Sequence, residues 1–96
     1  MEKSRFFMKG QTFNGRFKWN DIRFETHSVV PNSVQAVVDF PNGQYCSIVG
    51  GGKGLYGDGV DTFEICSSVT ERTSRGVSGW LDKKQVMAHL KYLQNK

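Results

Sequence analysis

Residues 50–59 read Gly-Gly-Gly-Lys-Gly-Leu-Tyr-Gly-Asp-Gly, six glycines in ten positions. Neither a helix nor a strand tolerates that density. Each glycine loses more backbone freedom on folding than any other residue and brings no side chain to pack. The segment must therefore be a loop, and regular structure has to end before it and restart after it.

The preceding stretch reads as a hairpin. In residues 34–40, Val34, Ala36, Val38 and Phe40 share one face. Pro41-Asn42-Gly43 then turns the chain into residues 44–49. Two registers compete. A two-residue Asn-Gly loop pairs Pro41 with Gln44 and puts Tyr45 opposite Phe40. A type I turn centred on Pro41 and Asn42, with Gly43 as a bulge, pairs Phe40 with Gln44. Cys46 and Ile48 then join the face of Val38 and Ala36. Pro favours the second position of a type I turn and this apolar face is continuous, so the second register is preferred.

After the glycine loop, residues 60–66 read as a strand with Phe63 and Ile65 inward and Thr62, Glu64 and Cys66 outward. Residues 67–74 form a polar turn, and residues 75–80 a short, glycine-weakened strand. Asp82 and Gln85 have capping-box spacing, and Leu81 and Val86 have hydrophobic-staple spacing. Val86, Leu90 and Leu93, flanked by Met87, make one helical stripe, with Lys84, Lys91 and Asn95 opposite. A helix over 83–95 is predicted to cover one face of the sheet. The first 30 residues are too aromatic for a disordered tail. They carry an Asn14-Gly15 hairpin signal and a partly alternating stretch over 18–30, which together predict one or two strands. The expected fold is α+β: an antiparallel sheet of four or five strands with one C-terminal helix packed on a face. It forms a single domain, with a basic aromatic part (1–33), strands and glycine loop (34–81) and the helix (82–96).

Ninety-six residues, 38% hydrophobic and 23% charged, suit one modest core and lie outside the disordered class. No apolar run approaches the roughly 18 residues of a membrane span. The N-terminus lacks the apolar core and cleavage site of a signal peptide, so a cytoplasmic location is expected. Cys46 and Cys66 are too few for a disulfide framework or a zinc site, and their opposite parity predicts two free thiols.

Charge is the clearest functional feature. Lys3, Arg5, Lys9, Arg16, Lys18 and Arg23 face only Glu2 and Asp21 in the first 23 residues, which accounts for the whole net charge of +4. Phe6, Phe7, Phe13, Phe17 and Trp19 are woven among them. Such a segment can hold an anionic partner by charge and stack or pack against it. The rings can equally be core, leaving the cations as a solvated face. The glycine loop fails the P-loop pattern, because Lys53 precedes Gly54 and a strand follows. Its remaining readings are a tight connection with positive-φ positions and a mobile recognition loop displaying Leu55 and Tyr56. Asp58, Asp61 and Glu64 lack the ligand spacing of a calcium loop. The two aspartates suit turn capping, and Glu64 the solvent face of its strand. His27 and His89 are isolated, and no Ser/His/Asp or Cys/His set is suggested by spacing. No cofactor, metal site or enzymatic activity is expected.

Ile48-Val-Gly-Gly51, Gly54-Leu-Tyr-Gly-Asp-Gly59, Thr62-Phe-Glu-Ile65 and Gly79-Trp-Leu-Asp82 followed by a short helix resemble small proteins of tailed bacteriophages. In those, a VxGG-like turn, a YG-rich loop, a (Y/F)E(V/I) strand and a G(W/Y)L segment precede a final helix. The likeness covers about residues 44–93. It implies a phage-encoded accessory protein in a bacterial host cell, and proteins of that kind often bind and block a host enzyme or defence complex. Two functions follow as expectations. One is a non-enzymatic inhibitor or modulator of a host protein with an acidic surface, of the anti-restriction or anti-CRISPR type. The alternative is a small RNA- or single-stranded-DNA-binding protein. The contact residues expected are Arg5, Lys9, Arg16, Lys18, Trp19 and Arg23, with Lys53, Leu55 and Tyr56 in the glycine loop. Rings buried beneath the cations favour the first function, and rings exposed with them favour the second.

Overall fold

The computed structural model describes residues 10–26 and 30–96. Its elements are strands β1 (Gln11–Thr12), β2 (Glu25–Thr26), β3 (Val34–Asp39), β4 (Tyr45–Gly50), β5 (Thr62–Ser67) and β6 (Ser78–Asp82), then helix α1 (Lys83–Gln94). The sheet order is β1-β3-β4-β5-β6, with β2 also on β3. The fold is α+β as expected, a strand set covered by one C-terminal helix. It differs from an all-antiparallel sheet in one place. β1 runs parallel to β3, with Gln11 opposite Val38 and Thr12 opposite Asp39.

The hairpin adopts the preferred register. Val38 lies opposite Cys46 and Ala36 opposite Ile48. The Phe40 N–H donates to Gln44 O at 2.8 Å, and the Gly43 N–H to Phe40 O at 3.0 Å. Gly43 has φ of +89°, the left-handed position that a type I turn followed by a bulge requires. Cys46 is fully buried on the helix side, Cys66 is half-buried on the other face, and neither forms a disulfide. Burial also pushes the Cys46 thiol pKa far up, which keeps it protonated and unreactive.

α1 begins where the capping box places it. Asp82 Oδ1 accepts the Gln85 N–H at 2.8 Å, and Gln85 Oε1 accepts the Asp82 N–H at 2.9 Å. Such a cap is worth about 1 kcal/mol. Val86, Leu90 and Leu93 face the sheet, fully buried against a cluster that includes Ile48, Phe63 and Ile65.

The rest of that face is filled by the N-terminal segment, in a way the Asn-Gly signal does not suggest. No hairpin forms at Asn14-Gly15. Instead the chain leaves the edge of β3 after Thr12, crosses the helix-side face, and returns to the same edge at Glu25. Gln11 clamps the two ends of this excursion. Its side chain donates to Arg23 O and accepts the Arg23 N–H, each at 2.7 Å. A compact surface loop whose ends meet and whose own side chains pack it is an Ω-loop. Phe17 and Ile22 are buried in the core, with Phe13, Trp19 and Phe24 packed against it. Arg16, Lys18 and Arg23 stay exposed. No helix of the described residues is long and apolar enough to cross a membrane.

Candidate functional site

The Ω-loop, the hairpin turn and the C-terminal end of α1 meet around an open groove of about 920 Å³. Its floor is aromatic. Phe13 and Phe17 stack with ring centroids 4.5 Å apart and planes 12° off parallel, and Phe17 leans on Phe40 at 6.0 Å. Among the described residues, Arg16, Lys18 and Lys91 line it, and Asp21 is its one carboxylate. Asp21 is already committed to the loop, since Oδ2 accepts the Lys18 N–H at 2.7 Å. The groove is thus cationic, over a floor whose rings belong to the core.

Side-chain amides hold the three parts of the groove together. Asn42 Nδ2 donates to Leu93 O at 2.9 Å, while its Oδ1 accepts the Gln44 N–H at 3.0 Å. Gln94 Nε2 donates to Gly15 O at 2.8 Å, and Asn95 Nδ2 to Lys91 O at 2.8 Å. The first and last of these add a second donor to α1 carbonyls that the Asn95 and Lys96 N–H groups already reach, and the Gln94 bond ties α1 to the Ω-loop. They also fix the backbone from which Arg16, Lys18 and Lys91 project. Asn42 reads locally only as a turn residue, since its bond to Leu93 O spans 51 residues, and Lys91 carries no motif. The only signal was that Lys91 stands opposite the apolar stripe.

The expected contact residues do not form one surface. Arg16 and Lys18 line the groove with Lys91. Trp19 is half-buried, with its ring 5.0 Å from Phe63 and 5.4 Å from Phe24, and Lys83 Nζ lies 5.9 Å over it. It is a partly buried ring packed on the core, with a cation over it. Arg23 sits at the Gln11 clamp, away from the groove lining. Arg5 and Lys9 lie outside the described residues. Lys53, Leu55 and Tyr56 are at the opposite end of the sheet. β4 separates the hairpin turn from the glycine loop by its whole length, about 17 Å at 3.3 Å per residue.

The glycine loop is a tight connection. The Gly51 N–H donates to Gly57 O at 3.0 Å, and the Trp80 N–H to Tyr56 O at 2.7 Å. Tyr56 N–H donates to Glu64 Oε1 at 2.9 Å, so Glu64 anchors the loop. Asp58 acts as the turn cap its spacing suggested. Its Oδ1 accepts the N–H groups of Val60, Asp61 and Thr62 at 2.8, 2.8 and 3.0 Å. These bonds favour the ionised form and hold its pKa down at about 2. Among the described residues, no group of three His, Cys, Asp or Glu side chains could hold a metal ion.

Ser67 and His89 form a pair that spacing could not reveal, with Oγ 2.8 Å from Nε2. Ser67 is fully buried, and its Oγ accepts the Val69 and Thr70 N–H groups at 3.2 and 3.1 Å. Both lone pairs are then used, so the hydroxyl proton goes to Nε2 and the imidazole is neutral with its proton on Nδ1. An oxygen so enclosed cannot meet a substrate, and the pair ties α1 to the end of β5. Burial holds the His89 pKa below its ordinary 6.5. The unfolded chain therefore takes up the proton first as pH falls. The stability that His89 contributes is complete above about pH 6.5 and is lost as pH drops toward the lower folded value. Denaturation midpoints at pH 7.5 and 5.5 are expected to converge in His89→Gln relative to the parent. An unchanged difference between the two pH values would show that His89 carries none of it.

Comparison with protein-family models, with curated proteins and with solved structures gives no match to this chain, so the functional reading rests on the geometry.

Proposed function

We propose that this chain is a non-catalytic accessory protein that binds a partner protein through the cationic groove and thereby inhibits or modulates it. The observation that carries this reading is the division of the basic segment. Phe13, Phe17, Trp19 and Phe24 pack into the core, while Arg16 and Lys18 stay exposed and are joined by Lys91 from α1. An acidic protein surface needs cations and shape, both of which the groove offers. A single-stranded nucleic acid needs exposed ring faces as well, whereas Phe17 is buried and Phe13, Trp19 and Phe24 are each partly buried against the core. The phage resemblance supplies the context for the proposal. The partner would be a host protein or defence complex in the bacterial cytoplasm, with anti-restriction or anti-CRISPR activity as concrete forms.

The test is affinity capture from bacterial lysate, with and without nuclease, using the parent and an Arg16→Glu/Lys18→Glu variant. The expected result is a nuclease-resistant protein partner. Its association rate should fall by about tenfold in the variant at low salt and by less at high salt. Circular dichroism should show the variant folded, since both side chains are exposed. A partner lost on nuclease treatment would favour the nucleic-acid function, and unchanged capture by the folded variant would remove the groove from the contact.

A further inference from the structure

At the far end of the sheet, β5 and β6 meet at a bulge. Phe63 pairs with Leu81 and Ile65 with Ser78, so Gly79 and Trp80 both stand against Glu64. Trp80 has φ of +58°, a left-handed backbone that is strained for a bulky side chain. The bulge explains the backbone, because it directs the Trp80 N–H to Tyr56 O. It does not explain the indole, since a glycine would serve the bulge without strain. Nor is the indole needed by the core, for Trp80 is 62% exposed. Tyr56 is 50% exposed and is seated over Gly79, where a Cβ would fall 2.3 Å from Tyr56 Cβ. With Val60, which directly follows the glycine loop, three of the four exposed large hydrophobics of the described residues lie at this end of the sheet.

The charge around these rings is negative. Residues 54–64 contain Asp58, Asp61 and Glu64 and neither Lys nor Arg, with Lys53 just before them in the loop. Asp82 is brought beside them by its pairing with Thr62. The nearby Lys83 is drawn away over Trp19. Strand addition along β6 is hindered, because the Trp80 N–H is bonded to Tyr56 O and the Asp82 N–H to Gln85 Oε1. A ligand here must be held by side chains. We propose that Tyr56 and Trp80, with Asp61 and Glu64, form a second docking surface for a cationic segment of a partner protein. Its Lys or Arg stems lie on the ring faces and its charged heads meet the carboxylates. This surface is independent of the groove and selects partners of the opposite charge.

The experiment is a fluorescence-anisotropy titration with two labelled peptides of equal length, one alternating arginine and one alternating glutamate. The arginine peptide is expected to bind, more weakly as salt rises, and the glutamate peptide not to bind. Trp80→Gly should keep or raise the melting temperature while weakening binding about tenfold, as expected for loss of an aromatic anchor. Asp61→Asn with Glu64→Gln, which preserves the Glu64 acceptor oxygen, should weaken binding severalfold and flatten its salt dependence. Arg16→Gln with Lys18→Gln should not weaken it. The proposal is overturned by unchanged affinity in folded Trp80→Gly, by equal binding of the glutamate peptide, or by loss of affinity in the groove variant. It is also overturned if sedimentation shows the parent self-associating with Trp80 shielded, which would assign the surface to a second copy.

Discussion

Leu90→Ala is expected to lower the free energy of unfolding by about 2–5 kcal/mol, the largest effect of any single truncation considered. Leu90 is fully buried at the centre of the α1 stripe, between Val86 and Leu93, in the cluster that holds Ile48, Phe63 and Ile65. Removing its isobutyl group forfeits the transfer term and leaves a cavity. The far side of that cavity is β-sheet, which cannot collapse into it without breaking its ladder. A domain of this size has about 5–15 kcal/mol in total, so the loss is a large share of it. Urea denaturation should show a lower midpoint with an unchanged slope. A variant within about 0.5 kcal/mol of the parent would mean that α1 does not cover the sheet as described.

Gly57→Ala is expected to cost about 1–3 kcal/mol through overpacking. A Cβ at this position would lie 2.6 Å from Phe63 Cα and 2.8 Å from its N and C atoms. Those are backbone atoms of β5 and cannot rotate aside. The glycine loop must lift off the strand, which puts the Tyr56–Trp80 bond at risk. Gly54→Ala is the internal control, because Gly54 has φ of +89° and nothing within 4 Å of its Cβ position. It should cost about 1–2 kcal/mol in left-handed strain alone. Hydrogen exchange separates the two. The Trp80 amide should lose protection in Gly57→Ala and keep it in Gly54→Ala. Equal protection in both variants would contradict the close packing of the loop on β5.

The elements that local physics determines were legible from residues. Proline's preference in a type I turn chose the hairpin register, and the Asp82/Gln85 spacing placed the start of α1. Glycine density marked a loop, though not that the loop is laid flat against β5. Opposite strand parity separated the thiols. The Ω-loop was illegible because its apolar side chains at 13, 17, 19, 22 and 24 follow neither a period of two nor one of 3.6. Its shape is set by the Gln11–Arg23 clamp and by the space α1 leaves on the sheet, which are both tertiary. For the same reason the basic segment read as one surface. Its cations actually part company, with Arg16 and Lys18 joining Lys91 and Arg23 staying at the sheet edge. The amide bridge from Asn42 to Leu93 spans 51 residues and has no local signature. The left-handed Trp80 follows from a bulge whose existence depends on where β5 and β6 meet.

The groove reading makes its most direct commitment about which atoms touch the partner. Chemical-shift perturbation of backbone and side-chain amides, on titrating the captured partner into labelled protein, measures this. The account predicts that shifts concentrate at Gly15, Arg16, Lys18, Asn42, Lys91 and Asn95, with the Trp19 indole and the core amides of β4 little changed. Shifts centred on the Trp19 indole and Phe24, with the groove amides unmoved, would contradict it.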